Sequence, residues 1–173
     1  MSLLRNKLLW IALVCAAPVV LGTAAYLLAH FFDYSPGASA NYGELIPPRV
    51  IAPLSELRGK WVLVTFDAAA CDAFCERKLY IARQVRRAQG KDMERIERLW
   101  VITDAAKPRP EALAASEGTR VGRFAADGFP GTATDHIYLV DPLGNLMMRF
   151  PRDPDPSKVI KDLQRLLKYS RFG

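Results

Sequence analysis

The sequence predicts an α/β sandwich domain carried behind one N-terminal transmembrane helix. Three observations lead there: 25 residues without a formal charge from Leu8 to Phe32, two short apolar runs of strand-forming types flanking an amphipathic stretch, and a hairpin followed by a terminal amphipathic segment. The 173 residues, 50% of them hydrophobic, suffice for one membrane segment and one compact core, not for two large domains.

The uncharged stretch exceeds the roughly 20 residues that a helix needs to cross the hydrocarbon layer. Arg5 and Lys7 precede it and the next basic residue is Arg49. The positive-inside bias therefore puts residues 1–7 in the cytoplasm and the domain on the outer side. This topology suits a bacterial periplasm or a mitochondrial intermembrane space, and the lack of an Arg- and Ser-rich amphipathic presequence favours a bacterial inner membrane with a periplasmic domain. A cleaved signal peptide is the rival, with Ala38-Ser39-Ala40 as its small-residue site. Its apolar region would exceed the usual length of about 7 to 15 residues, so a retained anchor over residues 8–32 is preferred. Cys15 reads as a small hydrophobe inside that helix, and His30 as an interfacial residue near its end. Residues 33–50, with Pro36-Gly37 and Pro47-Pro48 as breakers, read as a tether.

The domain is expected over residues 51–173. Trp61-Val62-Leu63-Val64-Thr65-Phe66 has the composition of a strand buried on both faces. From Asp72 to about Ala88, Leu79, Ile81, Ala82, Val85 and Ala88 recur at helical spacing, with Gly90 as a stop. Leu99-Trp100-Val101-Ile102-Thr103 is a second buried strand. Pro108 and Pro110 open a short helix around Glu111 to Ser116, and residues 128–134 form a loop of small residues. Ile137–Val140 and Asn145–Phe150 pair as a hairpin about Asp141-Pro142-Leu143-Gly144, where proline presets the second turn position and glycine suits the fourth. Ser157 precedes a last helix whose stripe is Val159, Ile160, Leu163, Leu166 and Leu167. In this order, strand, helix, strand, hairpin and terminal helix predict a thioredoxin-like sandwich.

Of the net charge of +6, Arg5 and Lys7 account for two; the remaining excess is modest, and Arg83, Arg86, Arg87, Lys91, Arg95 and Arg98 concentrate it. A solvated helical face accounts for this run; docking to anionic lipid or an acidic partner is the second reading. An exported domain without interleaved basic and aromatic residues is not expected to bind nucleic acid.

The chemistry centres on Cys71 and Cys75, just past the first strand. Four residues on a helix turn through about 400 degrees, so the sulfurs would converge on nearly one face. At the start of a helix, unpaired amides and the dipole favour thiolates, which bind soft metal and attack disulfides. Soft sulfur selects Cu(I), and one imidazole completes a three-coordinate site that also accepts Cu(II) with an added oxygen ligand. His136 is the candidate third ligand, with Asp135 as an acceptor that orients its ring. A structural disulfide is the plain alternative for the cysteines, and a packed or surface histidine for His136. Met147 and Met148 point to opposite faces of their strand and read as core. Zinc is disfavoured because three ligands do not close a structural site, and two histidines offer no Ser/His/Asp arrangement.

From about Ile51 to Leu167 the chain resembles the Sco family of membrane-tethered, thioredoxin-like copper chaperones. The resemblance rests on Leu57-Arg58-Gly59-Lys60, on Cys71 with Cys75, on Asp135-His136, and on Tyr138-Leu139-Val140-Asp141-Pro142-Leu143-Gly144. It implies Cys71, Cys75 and His136 as copper ligands, an upstream copper donor, and as acceptor the cytochrome c oxidase subunit carrying CuA. Asp72 and Glu76 stand where the family usually has proline. Three functions follow as expectations. The first is copper transfer. The second is enzymatic: Cys71 and Cys75 act as a redox pair that reduces the acceptor's cysteines. The third is a noncatalytic docking module.

Overall fold

The computed structural model describes residues 2–31 and 41–171, and the chain forms two compact units, Met1–Ala40 and Asn41–Gly173. In the first unit, α1 (Ser2–Phe31) contains Trp10–Leu28, a segment long and apolar enough to cross a membrane by length and composition. Trp10, Leu13 and Leu21 on it are exposed, as lipid-facing side chains must be, and it fits a single-pass anchor. The expected tether residues 33–40, including Ala38-Ser39-Ala40, lie outside the described residues, as does the His30 side chain.

The second unit is built on one mixed sheet. Its strands are β1 (Glu44–Val50), β2 (Trp61–Asp67), β3 (Ile96–Ile102), β4 (Arg120–Gly122), β5 (Ile137–Val140) and β6 (Asn145–Arg149), in the order β1-β6-β5-β2-β3-β4. The central strand β2 pairs in parallel with β3 and antiparallel with β5. Every residue of β2 is buried, which is what its unbroken apolar run requires.

Helices α2 (Ala73–Arg87), α3 (Pro110–Ala115) and α4 (Pro156–Tyr169) lie on one face of this sheet. Ile81, Ala82 and Val85 of α2 and Val159, Leu163 and Leu167 of α4 pack there against Trp61, Leu63, Ile137 and Leu139. The opposite face carries Val62, Val64, Phe66, Tyr138 and Val140 and is covered by irregular segments through Ile51, Leu54 and Phe129. Alternation along β2 and β5 thus feeds two separate cores.

Two strands depart from the expected pattern. Glu44–Val50, read as tether, is the edge strand β1, paired antiparallel with β6. Only Ile46 of it is buried, so it has no apolar periodicity to read, and Pro47-Pro48 is tolerated because the register shifts between Leu45 and Arg49 on an edge. Strand β4 is three residues at the other edge and equally short of buried side chains. The basic run also divides. Arg83 and Arg86 are half-buried and Arg87 exposed on or beside α2, whereas Arg98 is an inward-facing residue of β3 at 4% exposure.

Candidate functional site

The chain leaves β2 through Ala68–Ala70 and turns at Cys71, whose φ of 43° is left-handed and whose N–H donates to the Ala68 carbonyl at 3.0 Å. Asp72 then caps α2, accepting from the N–H groups of Phe74 and Cys75 at 3.0 and 2.9 Å. Cys71 therefore lies before the helix rather than on its first turn. The two cysteines still meet, with Cα atoms 5.1 Å apart and a disulfide between them, because the turn folds Cys71 back over Cys75. Both side chains are buried, beside Leu79, Trp100, Ile102 and Ala112.

The two acidic residues after the cysteines have structural partners. Asp72 is the helix cap, and Glu76 pairs with Arg109 at 3.2 Å. The Arg109 guanidinium also donates to the Cys71 carbonyl at 2.6 Å, so it holds the cysteine turn against the start of α3.

A cavity of about 470 Å³ opens beside the disulfide, lined by Asp67, Phe74, Thr134, Asp135 and Arg152 as well as Cys71 and Cys75. At its base lies a buried ion pair that sequence reasoning missed. Lys78 is 1% exposed and its Nζ sits 2.8 Å from Oδ2 of Asp67, itself 6% exposed. The ammonium also donates to the carbonyls of Phe66, at 3.2 Å, and Thr134. The ion pair and the two hydrogen bonds tie together the end of β2, helix α2 and the turn that precedes His136. Burial pushes the Asp67 carboxyl up to about 6, with Lys78 opposing the rise, and pushes the Lys78 amine down. The signal for the pair was a carboxylate ending an apolar strand and a lysine three residues after Cys75 on the apolar stripe of the helix.

His136 follows the turn Ala133–Asp135 and is half-buried. Its Nδ1 is 2.8 Å from the Phe150 carbonyl, and since a carbonyl only accepts, Nδ1 carries a proton. The ring meets Tyr138 edge-on, with centroids 5.9 Å apart, on the sheet face away from the helices. Asp135 lies 3.6 Å from Arg152, whose guanidinium stands over the Phe74 ring. The structure brings Cys71 and Cys75 together and does not bring His136 to them: it does not line the cavity, and among the described residues no three Cys, His, Asp or Glu side chains converge as a metal site. The two sulfurs suit a soft ion; the nitrogen is not in reach in this arrangement.

The family model for the transmembrane-like, thioredoxin-like, C-terminal domain matches residues 61–170. The chain belongs to this family. Among curated proteins none matches it significantly in sequence. Its thioredoxin-like domain is similar to solved Sco structures. That of Bradyrhizobium japonicum ScoI with copper bound is 22% identical and aligns over 64% of this chain and 87% of that one, with a TM-score of 0.50. Yeast Sco1 with copper bound is 18% identical over 66% and 82% of the two chains, with a TM-score of 0.56. Arabidopsis thaliana ScoI with copper bound is 12% identical over 75% and 99%, with a TM-score of 0.53. At these identities the likeness establishes the fold, and the family resemblance read from the sequence has Sco proteins as its structural neighbours.

Proposed function

We propose that this protein is a membrane-anchored copper chaperone that carries the ion on Cys71 and Cys75 outside the cytoplasm and passes it to the cytochrome c oxidase subunit holding CuA. The observation that supports this most is the buried cysteine pair at the wall of an open cavity, on a fold shared with copper-loaded Sco proteins. Reduction of the disulfide frees two sulfurs for Cu(I), supplied by an upstream donor. His136 is the third ligand through Nε2, which holds the free lone pair when Nδ1–H faces the Phe150 carbonyl. Its arrival requires the turn at residues 131–136 to swing toward the cysteines. The anchor spans a bacterial inner membrane once, with its N-terminus in the cytoplasm and the domain in the periplasm.

A second reading is thiol–disulfide exchange, favoured by the disulfide itself and by the engaged His136 ring. In it an external dithiol is oxidised to its disulfide and passes two electrons and two protons to Cys71–Cys75. The reduced pair then reduces a disulfide of the copper acceptor, one cysteine attacking and the other resolving the mixed disulfide. His136→Ala separates the readings. Under the first it sharply weakens Cu(II) binding and leaves dithiol exchange with a model disulfide intact. Unchanged Cu(II) binding would remove His136 from the site, and equal loss of both activities would contradict the division.

A further inference from the structure

Helix α4 packs Val159, Leu163 and Leu167 on the sheet and turns a face of a single charge outward. Lys158, Lys161, Arg165 and Lys168 are all exposed. At about 100 degrees per residue they fall within an arc of about 80 degrees, and they run about 15 Å along the helix axis.

No carboxylate interrupts this row. Asp162 is buried and accepts from the Gly43 N–H at 2.8 Å, and Asp155 caps the helix through the Ser157 N–H at 2.8 Å. Lys158, Lys161 and Lys168 make no ion pair among the described residues. Neighbours in the row are three or four residues apart, the spacing at which like charges destabilise a helix. An opposing anionic surface offsets that repulsion.

Apolar surface adjoins the end of the row. Tyr169 is 76% and Leu143 61% exposed, and with Trp61, Met147 and Leu166 they line a cavity of about 440 Å³. A basic helix face beside an exposed aromatic and an exposed leucine has the composition of a surface that lies at a lipid interface.

The covalent chain brings such an interface to the helix. It enters the domain along α4, where Asn41 accepts from Arg165 Nη1 at 3.3 Å and the Tyr42 hydroxyl accepts from the Asp155 N–H at 3.0 Å. Residues 32–40 join Asn41 to the end of α1, and a chain of that length spans no more than about 36 Å. The bilayer that α1 fits is therefore the extended surface that stays near this face, and anionic phospholipids complement its charge.

We propose that the outer face of α4, with Tyr169 and Leu143 at its end, docks on the anionic phospholipid surface of the membrane that holds the chain's own anchor. The docking is independent of copper transfer and rests on the anchoring role of α1. The cysteine cavity shares no residue with this face, so docking does not close it.

The test places the full chain, one per disc, in nanodiscs of phosphatidylcholine with or without phosphatidylglycerol, acetylates lysines with an N-hydroxysuccinimide ester, and reads each site by mass spectrometry. With phosphatidylglycerol at low salt, Lys161 and Lys168 should react about fivefold more slowly or less, the effect of one basic side chain near an anionic surface. High salt should abolish the protection, and the exposed Lys107, on a loop away from α4, should react alike in both discs. The variant Lys161→Glu with Lys168→Glu changes only exposed side chains, and in it Lys158 should react alike in both discs. Equal reactivity of Lys161 and Lys168 in the two discs overturns the proposal and leaves the face to an acidic protein or to solvent. So does equal protection in both discs, which needs no anionic lipid, or protection of Lys158 that survives the double variant. Failure of the chain to enter discs at all would instead refute the anchor, so the two readings fail separately.

Discussion

Replacing Lys78 with methionine removes the cation from the buried pair at the base of the cysteine cavity while preserving most of the side-chain volume. Asp67, 6% exposed and 2.8 Å from the lost ammonium, is then a carboxylate without a counter-charge, and the Phe66 and Thr134 carbonyls lose a donor. Breaking a buried pair from one side costs about 3–5 kcal/mol. Asp67 can escape part of this by taking a proton, because burial already holds it at about 6 with the lysine present. At pH 5 the loss should therefore shrink toward that of the abandoned carbonyl bonds, about 1–3 kcal/mol. The double variant Asp67→Leu with Lys78→Met should lie closer to wild type than Lys78→Met alone. Urea unfolding of residues 41–173 with the disulfide intact, at pH 7 and pH 5, measures all three. A Lys78→Met protein as stable as wild type at pH 7, or an equal loss at both pH values, would refute the reasoning.

Two further outcomes are expected. Asp72→Ala removes a cap that accepts from two amides and should lower stability by about 1 kcal/mol in the same unfolding assay; no change would show that the cap does not hold the cysteine turn. Asp67 binds its proton more tightly folded, at about 6, than its ordinary 3.8, so its contribution is fully present below about pH 4 and is lost as pH rises to about 6. The stability of wild type relative to Asp67→Asn should fall by ~3 kcal/mol across that window and level off above it; a flat or rising difference would contradict the assigned burial effect.

Much of the frame was legible because burial was strong. Trp61–Asp67 and Ile137–Val140 are buried at every position, so their apolar runs were complete, and the Asp141–Gly144 turn carried its own chemistry. Edges were illegible for the converse reason: Glu44–Val50 buries Ile46 alone and Arg120–Gly122 buries nothing fully. The cysteine pair was found by spacing, although the expected mechanism of convergence, one helix face, gave way to a left-handed turn at Cys71. The Asp67–Lys78 pair joins residues 11 apart in sequence on different elements, and only tertiary packing makes that contact. The flanking motif singles out His136, but the direction of its ring is set by the distant Phe150 carbonyl, which no local pattern reveals.

The central claim is that the two sulfurs hold copper, and anaerobic titration of reduced residues 41–173 with Cu(I), read by X-ray absorption, tests it most directly. One tightly held copper coordinated by two sulfurs, lost in Cys71→Ser with Cys75→Ser, is the predicted result. Negligible binding to the reduced protein despite two free thiols would contradict it and leave disulfide exchange as the work of the pair.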